Sequence, residues 1–275
     1  DAVLYLRIYF AGFPFLFMYN ILSTMFTSIG ESKIPLWLLI FSSVLNIIMD
    51  LWMVGGLKLG VFGAALATLI AQGISAILSL LIFLYRMRKY ASPFHRFDKS
   101  ELRLMLKIAV PSILQQSTVS IGMMIVQAVV NPFGTQALAG YAATMRVENV
   151  FSLIFVSIGN AVSPYVSQNL GAKKYQRIRK GVHSGTYMAL LTSGVISGVM
   201  VLFGRNILSL FVSGEPEQIR QVLDIAYKYL FIMAIFLWVL YLLYVYRSAI
   251  QGLGNTLIPL ASGIAEFAMR VSVAL

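Results

Sequence analysis

Eight apolar stretches, each long enough to cross a bilayer, leave this chain of 275 residues few ways to fold. They occupy residues 3–29, 34–54, 61–85, 104–130, 137–166, 182–203, 225–250 and 257–275. A helix needs about 20 residues to cross a hydrocarbon core of ~30 Å. Lipid supplies no partner for backbone N–H and C=O groups, so a spanning segment must satisfy its own, as a helix does. Composition agrees: 59% hydrophobic and 11% charged residues, with a mean hydropathy of +0.83, exclude an ordinary soluble domain. The expected fold class is an all-α membrane protein of polytopic transmembrane helices. Stretches longer than the minimum allow tilt or extension past the interface.

Within the second stretch stands Asp50, one helical turn after Asn46. A carboxylate at membrane depth costs roughly 2.5–3.5 kcal/mol on insertion scales, so it marks an ion path, a proton relay or a buried partner. The spacing puts Asn46 and Asp50 on one helix face, where both can serve the same cation. The competing reading is an Asp near a helix end, solvated at the interface.

Net charge is +11, but its distribution argues against a nucleic-acid partner. Basic residues gather at 86–107 and again at 173–180, where the apolar stretches leave short loops. The positive-inside rule expects such loops on the cytoplasmic side, and two intervening spans put both on the same side. Anionic lipid headgroups suffice as their partner. The chain has no cysteine, hence no disulfide or thiolate metal site, and its two histidines, His95 and His183, fall in or beside basic segments. It opens without Met and stops inside an apolar stretch, so a piece of a longer protein is expected.

The chain also repeats itself. Gly30-Glu31-Ser32-Lys33-Ile34-Pro35-Leu36 returns as Gly254-Asn255-Thr256-Leu257-Ile258-Pro259-Leu260, and Tyr5-Leu6-Arg7-Ile8 as Tyr229-Leu230-Phe231-Ile232, at one offset of 224 residues. In each copy a span ends at a Gly-polar-polar turn and a Pro opens the next, where its missing N–H is harmless. Six spans separate equivalent points, so the copies run in the same direction, a transporter architecture with a site between or within the halves. The expected division is 1–85 as one lobe, 86–103 as a cytoplasmic linker and 104–275 as a second lobe. Part of the linker is expected to lie on the membrane surface as an amphipathic helix, with Asp98 or Ser100 capping the helix that follows.

Tyr19-Asn20, the Gly30-to-Pro35 turn, Asn46 with Asp50, and Gly63-Ala64-Ala65-Leu66-Ala67-Thr68 follow one another as in the multidrug and toxic compound extrusion (MATE) transporters. Asn131-Pro132-Phe133-Gly134, Ala137-Leu138-Ala139-Gly140-Tyr141 and Ser167-Gln168-Asn169-Leu170-Gly171-Ala172 extend the match, which most resembles the DinF-like branch. The resemblance implies the fourth to eleventh of twelve family helices, in two parallel-repeat lobes. It also implies a non-enzymatic secondary transporter that exports organic, often cationic compounds by H+ or Na+ antiport. A first-lobe cation or proton site is implied at Asn20, Asn46, Asp50 and Thr68, with no cofactor beyond the coupling ion and no metal beyond Na+ at Asp50. A plasma-membrane monomer is expected, with the lipid bilayer and a small organic molecule as partners. A glutamate that one branch carries soon after the seventh helix's proline is missing: Gln115, Gln116 and Ser117 follow Pro111, and no carboxylate appears before Glu148.

Those four first-lobe side chains offer only oxygen ligands, which suit a hard cation or a protonatable carboxylate. Candidate substrate-cavity residues are Tyr19, Gln115, Gln116, Glu148, Glu266 and Arg270. Against this, the stripe after Pro111 can instead satisfy carbonyls that the proline frees, and Glu266 with Arg270 can pair on one helix face. Tyr241, Tyr244 and Met123 are further candidates for a plastic surface, and Gly194 with Gly198 for close helix packing. A lipid-linked oligosaccharide flippase of the same superfamily is the alternative function. A polytopic membrane enzyme needs clustered catalytic groups that this chain does not supply.

Overall fold

The computed structural model describes residues 2–89, 98–213 and 216–274, with the side chains of residues 2, 4 and 5 left aside. Among the described residues eight helices are long and apolar enough to cross a membrane. The chain divides into two compact units, Asp1–Arg96 and Phe97–Leu275.

The first unit holds α1 (Ala2–Ser28), α2 (Lys33–Asp50) and α3 (Gly60–Met87). Helix α3 packs against both others. Its buried face carries Gly63, Ala67, Ala71, Ser75 and Ser79, one small residue every helical turn. Apolar side chains gain little from leaving lipid for one another, so close backbone approach across small residues is what holds such helices together. Phe26 and Phe83 close one end edge to face, with centroids 5.6 Å apart. Beyond Asp50 helix α2 widens into a π-helical turn, Leu51–Gly56, that leads into α3.

The second unit comprises α4 (Lys99–Val130), α5 (Thr135–Gly171), α6 (Tyr175–Ser209), α7 (Pro216–Gly252) and α8 (Leu257–Ala274). Helix α7 packs between α5 and α6, and α4 packs on α8. Along α7 the residues Ala226, Leu230, Ala234, Leu237, Tyr241, Val245 and Ala249 are buried at steps of three or four and form the spine of the core. Gly252 allows α7 to approach α5 closely: a Cβ there would sit 2.5 Å from the Ser163 carbonyl oxygen.

The repeated turn has the same geometry in each unit. Gly30 and Gly254 adopt φ of 86° and 82°, a left-handed conformation that glycine enters at little cost. The Glu31 N–H donates to the Phe26 carbonyl at 2.9 Å, and the Asn255 N–H to the Ile250 carbonyl at 3.2 Å, each reaching back five residues. Both are Schellman ends, followed by the buried prolines Pro35 and Pro259.

Some expectations need correction. The helices outrun the apolar stretches: Lys99, Arg103 and Lys107 lie in α4, and Arg177, Arg179 and Lys180 in α6, so the basic groups stand on helix ends more than in loops. Asp98 is the residue that caps α4, accepting from the Ser100 N–H at 2.8 Å and the Glu101 N–H at 3.5 Å. The central part of the linker, with His95, lies outside the described residues. Among the described residues Gly194 and Gly198 meet no neighbouring helix: beyond the helix's own backbone, no heavy atom lies within 4 Å of a Cβ built at either. The small-residue contact is on α3 instead.

Candidate functional site

In the first unit the three helices enclose a cavity of about 350 Å³. Helix α1 lines it with Tyr19 and Asn20, α2 with Ser42 and Asn46, and α3 with Thr68, Gln72 and Ser75. The Asn46 amide donates to the Thr68 hydroxyl at 3.4 Å, and that hydroxyl donates to the Ala64 carbonyl at 3.0 Å. The Asn20 amide donates to the Leu16 carbonyl at 2.8 Å. Engaging both amide nitrogens in this way leaves the side-chain oxygens of Asn20 and Asn46 as lone pairs for a hard cation or a donor. Tyr19 donates to the Pro35 carbonyl at 3.2 Å, so its ring is fixed by the start of α2.

Asp50 is not part of the cavity wall. It sits one turn beyond Asn46, half-buried, and its buried Oδ1 has no hydrogen-bond partner among the described residues. A buried carboxylate oxygen left unpaired is costly, and structures keep such groups where a proton or ion completes them. The π-helical turn begins at the next residue. Such turns recur at functional sites because they re-aim side chains. No periodicity in the sequence announces this one. The structure therefore brings Asn20, Asn46 and Thr68 to one cavity and leaves Asp50 at its edge of α2.

The candidate substrate residues do not share one cavity. Tyr19 belongs to the first unit. Gln115 is buried and accepts from the Gln251 amide at 3.1 Å, tying α4 to α7. Gln116 is exposed. The stripe does not repair the backbone at Pro111: the Lys107 carbonyl, which the proline deprives of its helical donor, accepts from the Thr256 hydroxyl at 3.5 Å, while Thr118 and Ser120 donate to the Leu114 and Gln116 carbonyls. Tyr241 is fully buried in the core and stacks edge to face on Phe155, so it offers no cavity surface.

Glu148, Glu266 and Arg270 line a second, smaller cavity of about 130 Å³ in the second unit, with Met123, Phe155 and Tyr244. Glu266 is shared between two guanidinium groups. Its Oε1 accepts from Arg270 Nε at 3.2 Å and Nη2 at 2.8 Å, and its Oε2 from Arg247 Nη2 at 3.3 Å. Arg247 is buried, also donates to the Ser262 hydroxyl at 2.8 Å, and has an Nε without a partner. Sequence spacing reveals the Glu266–Arg270 pair, one turn apart on α8. It cannot reveal Arg247, which arrives from another helix. Glu148 makes no direct ion pair among the described residues.

These features define a multi-pass helical membrane protein with a duplicated helix–turn–helix and polar cavities inside its units. The family model described as MatE matches residues 111–275, and one described as Lipid II flippase MurJ matches residues 2–96. The chain belongs to the MatE family. It is similar to the Probable multidrug resistance proteins YoeA and YpnP of Bacillus subtilis (strain 168), at 33% and 30% identity over 83% and 79% of this chain. Those matches cover 50% and 49% of the relatives, so the chain spans about half their length. A solved outward-facing multidrug resistance MATE family transporter of the MOP superfamily matches with a TM-score of 0.87 at 20% identity, over 99% of this chain and 61% of that one, a likeness of fold.

Proposed function

We propose that this chain is part of a secondary active transporter that exports organic, often cationic compounds by H+ or Na+ antiport with alternating access. It is a transporter and not an enzyme, of the DinF-like branch, and these residues correspond to the fourth to eleventh of the family's twelve helices. The coupling ion engages Asn20, Asn46, Asp50 and Thr68. One observation carries the reading: a cavity lined by three of these residues, with a carboxylate oxygen of Asp50 that has no partner among the described residues one turn away. The names of the Bacillus subtilis relatives point to drug-like cargo. The protein works as a plasma-membrane monomer with the basic segments 86–107 and 173–180 on the cytoplasmic side. Coupling requires that the ion favour one access state over the other, since equal affinity for both shifts nothing.

The test is Asp50→Asn in the full-length protein. Ion-driven efflux of an organic cation is expected to vanish while the melting temperature stays near wild type or rises, because a neutral amide costs less to bury than an unpaired carboxylate. Wild-type efflux under an imposed gradient refutes the role.

The match of residues 2–96 to the MurJ model favours a second reading, translocation of a lipid-linked oligosaccharide. Its pyrophosphate calls for cationic side chains, whereas among the described residues no Lys or Arg lines the first-unit cavity. Liposomes carrying lipid II decide between the two: flipping of the headgroup, with no organic-cation exchange, selects the flippase.

A further inference from the structure

The cavities of the two units occupy the same register of the internal repeat. Carrying Leu16, Asn20, Ser42 and Asn46 forward by the offset that takes Gly30 to Gly254 gives Leu240, Tyr244, Glu266 and Arg270. Each set of four lines the cavity of its own unit. The Schellman turns that join the paired helices share their left-handed glycine and their hydrogen bond. The second cavity is thus the counterpart of the first, with different charges. Where the first unit has Asn46 and, a turn later, Asp50, the second has Arg270 and Ala274. Its carboxylate stands instead at Glu266, the Ser42 position, and holds Arg270 on one oxygen and Arg247 on the other.

We propose that Arg270 is a tethered cation: its guanidinium fills, in the second unit, the place that a mobile coupling ion takes in the first. Coupling ions are then bound in the first unit alone. The inference rests on the assignment of that ion to Asn20, Asn46, Asp50 and Thr68.

The charges explain why the two counterparts behave differently. A carboxylate removed from water must be neutralised by a proton, a mobile ion or a fixed side chain. An arginine never releases its proton at working pH. Being attached, it also competes at a high effective concentration that a free ion cannot match. Around the second cavity Arg247 and Arg270 stand against Glu148 and Glu266, a neutral set, so an entering cation has no charge left to balance. Among the described residues no Lys or Arg lines the first unit's cavity, and the Asp50 oxygen near it has no partner. There an entering cation meets a carboxylate that no fixed cation balances.

Exchanging the residues between the copies tests this. In the full-length protein reconstituted in liposomes, uptake of ethidium is followed as the imposed pH or sodium gradient is varied. Asn46→Arg, which copies the second unit's cation into the first, is expected to abolish dependence on the ion. Arg270→Asn with Ala274→Asp, which copies the first unit's pair into the second, should raise the Hill coefficient for the ion from about one toward two. A wild-type coefficient near two that falls to one in Asp50→Asn overturns the proposal, as does Asn46→Arg with intact ion dependence. A further arm is independent of the first-unit assignment. Purified Arg270→Ala should melt several degrees higher in millimolar guanidinium than in equal urea or sodium chloride, while wild type shows no such difference. Without that specific rise the vacated place binds no cation and the tethered-cation reading falls. If Arg270→Ala does not fold, Arg270→Gln is measured in the same way. If Asp50→Asn keeps full coupling but guanidinium still rescues, the first-unit assignment fails and the tethered cation stands.

Discussion

At the scale of single residues, the informative groups are charges whose partners the fold either supplies or withholds. Glu266 is supplied twice, and its loss is felt mainly through Arg247, whose side chain is only 6% exposed. Removing one partner of a buried pair costs roughly 3–5 kcal/mol because the other charge stays buried. Glu266→Gln is therefore expected to lower the melting temperature sharply, and a double change that also replaces Arg247 with Met should recover much of the loss. Thermal unfolding of the three proteins checks this. Asp98 is the opposite case, an exposed cap. The Ser100 hydroxyl first, then the Ser100 and Glu101 amides, hold its carboxyl below the usual range. A depressed pKa adds stability above the unfolded value of about 3.9 and loses it as pH falls through the folded one. Amide exchange at Ser100 and Glu101 should stay protected at neutral pH and lose protection only in acid below that value. Asp98→Asn should keep the cap without the pH dependence. The sequence made Asp98 and the Glu266–Arg270 pair legible because both are local. Arg247 on Glu266 was not, since that contact joins two helices.

At the scale of elements, hydropathy located every membrane-spanning helix but not its ends. A hydropathy window senses where lipid gives way to water, while a helix continues as long as its backbone bonds are worth making. Lysine and arginine are good helix formers that reach toward headgroups from a helix end, so α4 and α6 extend through them. The same limit hid the π-helical turn after Asp50, whose backbone shift has no signature in side-chain type. Helix contacts were misplaced for another reason. A Gly-x-x-x-Gly pair need not meet a neighbouring helix, and among the described residues none approaches Gly194 or Gly198, whereas the repeated small residues of α3 face α1 and α2. Ala71→Leu, at a position 1% exposed, should therefore overpack that contact and cost about 1–3 kcal/mol. Gly194→Leu should change stability by no more than about 0.5 kcal/mol in detergent. Equal effects of the two changes would reverse the assignment of the packed face.

At the scale of the whole molecule, duplication makes the candidate sites comparable, because one offset carries a turn, a proline and four cavity positions from one unit to the other. The turn was readable from glycine and proline alone; the paired cavities needed side-chain positions. The orientation proposed for the membrane rests on a simpler physical bias. Helix α5 has 37 residues, about 55 Å at 1.5 Å each, and so exceeds a ~30 Å hydrocarbon core at its ends. One end carries the uncharged turn at Phe133, which is 74% exposed; the other carries Lys173, Lys174 and Arg177. Basic residues near short spans are retained on the cytoplasmic side. The 275 residues contain no cysteine, so single replacements within them report without background from this segment. In intact cells a membrane-impermeant maleimide should label Phe133→Cys and leave Lys174→Cys unmodified until the membrane is permeabilised. The reverse pattern would turn the molecule over, placing the basic helix ends outside.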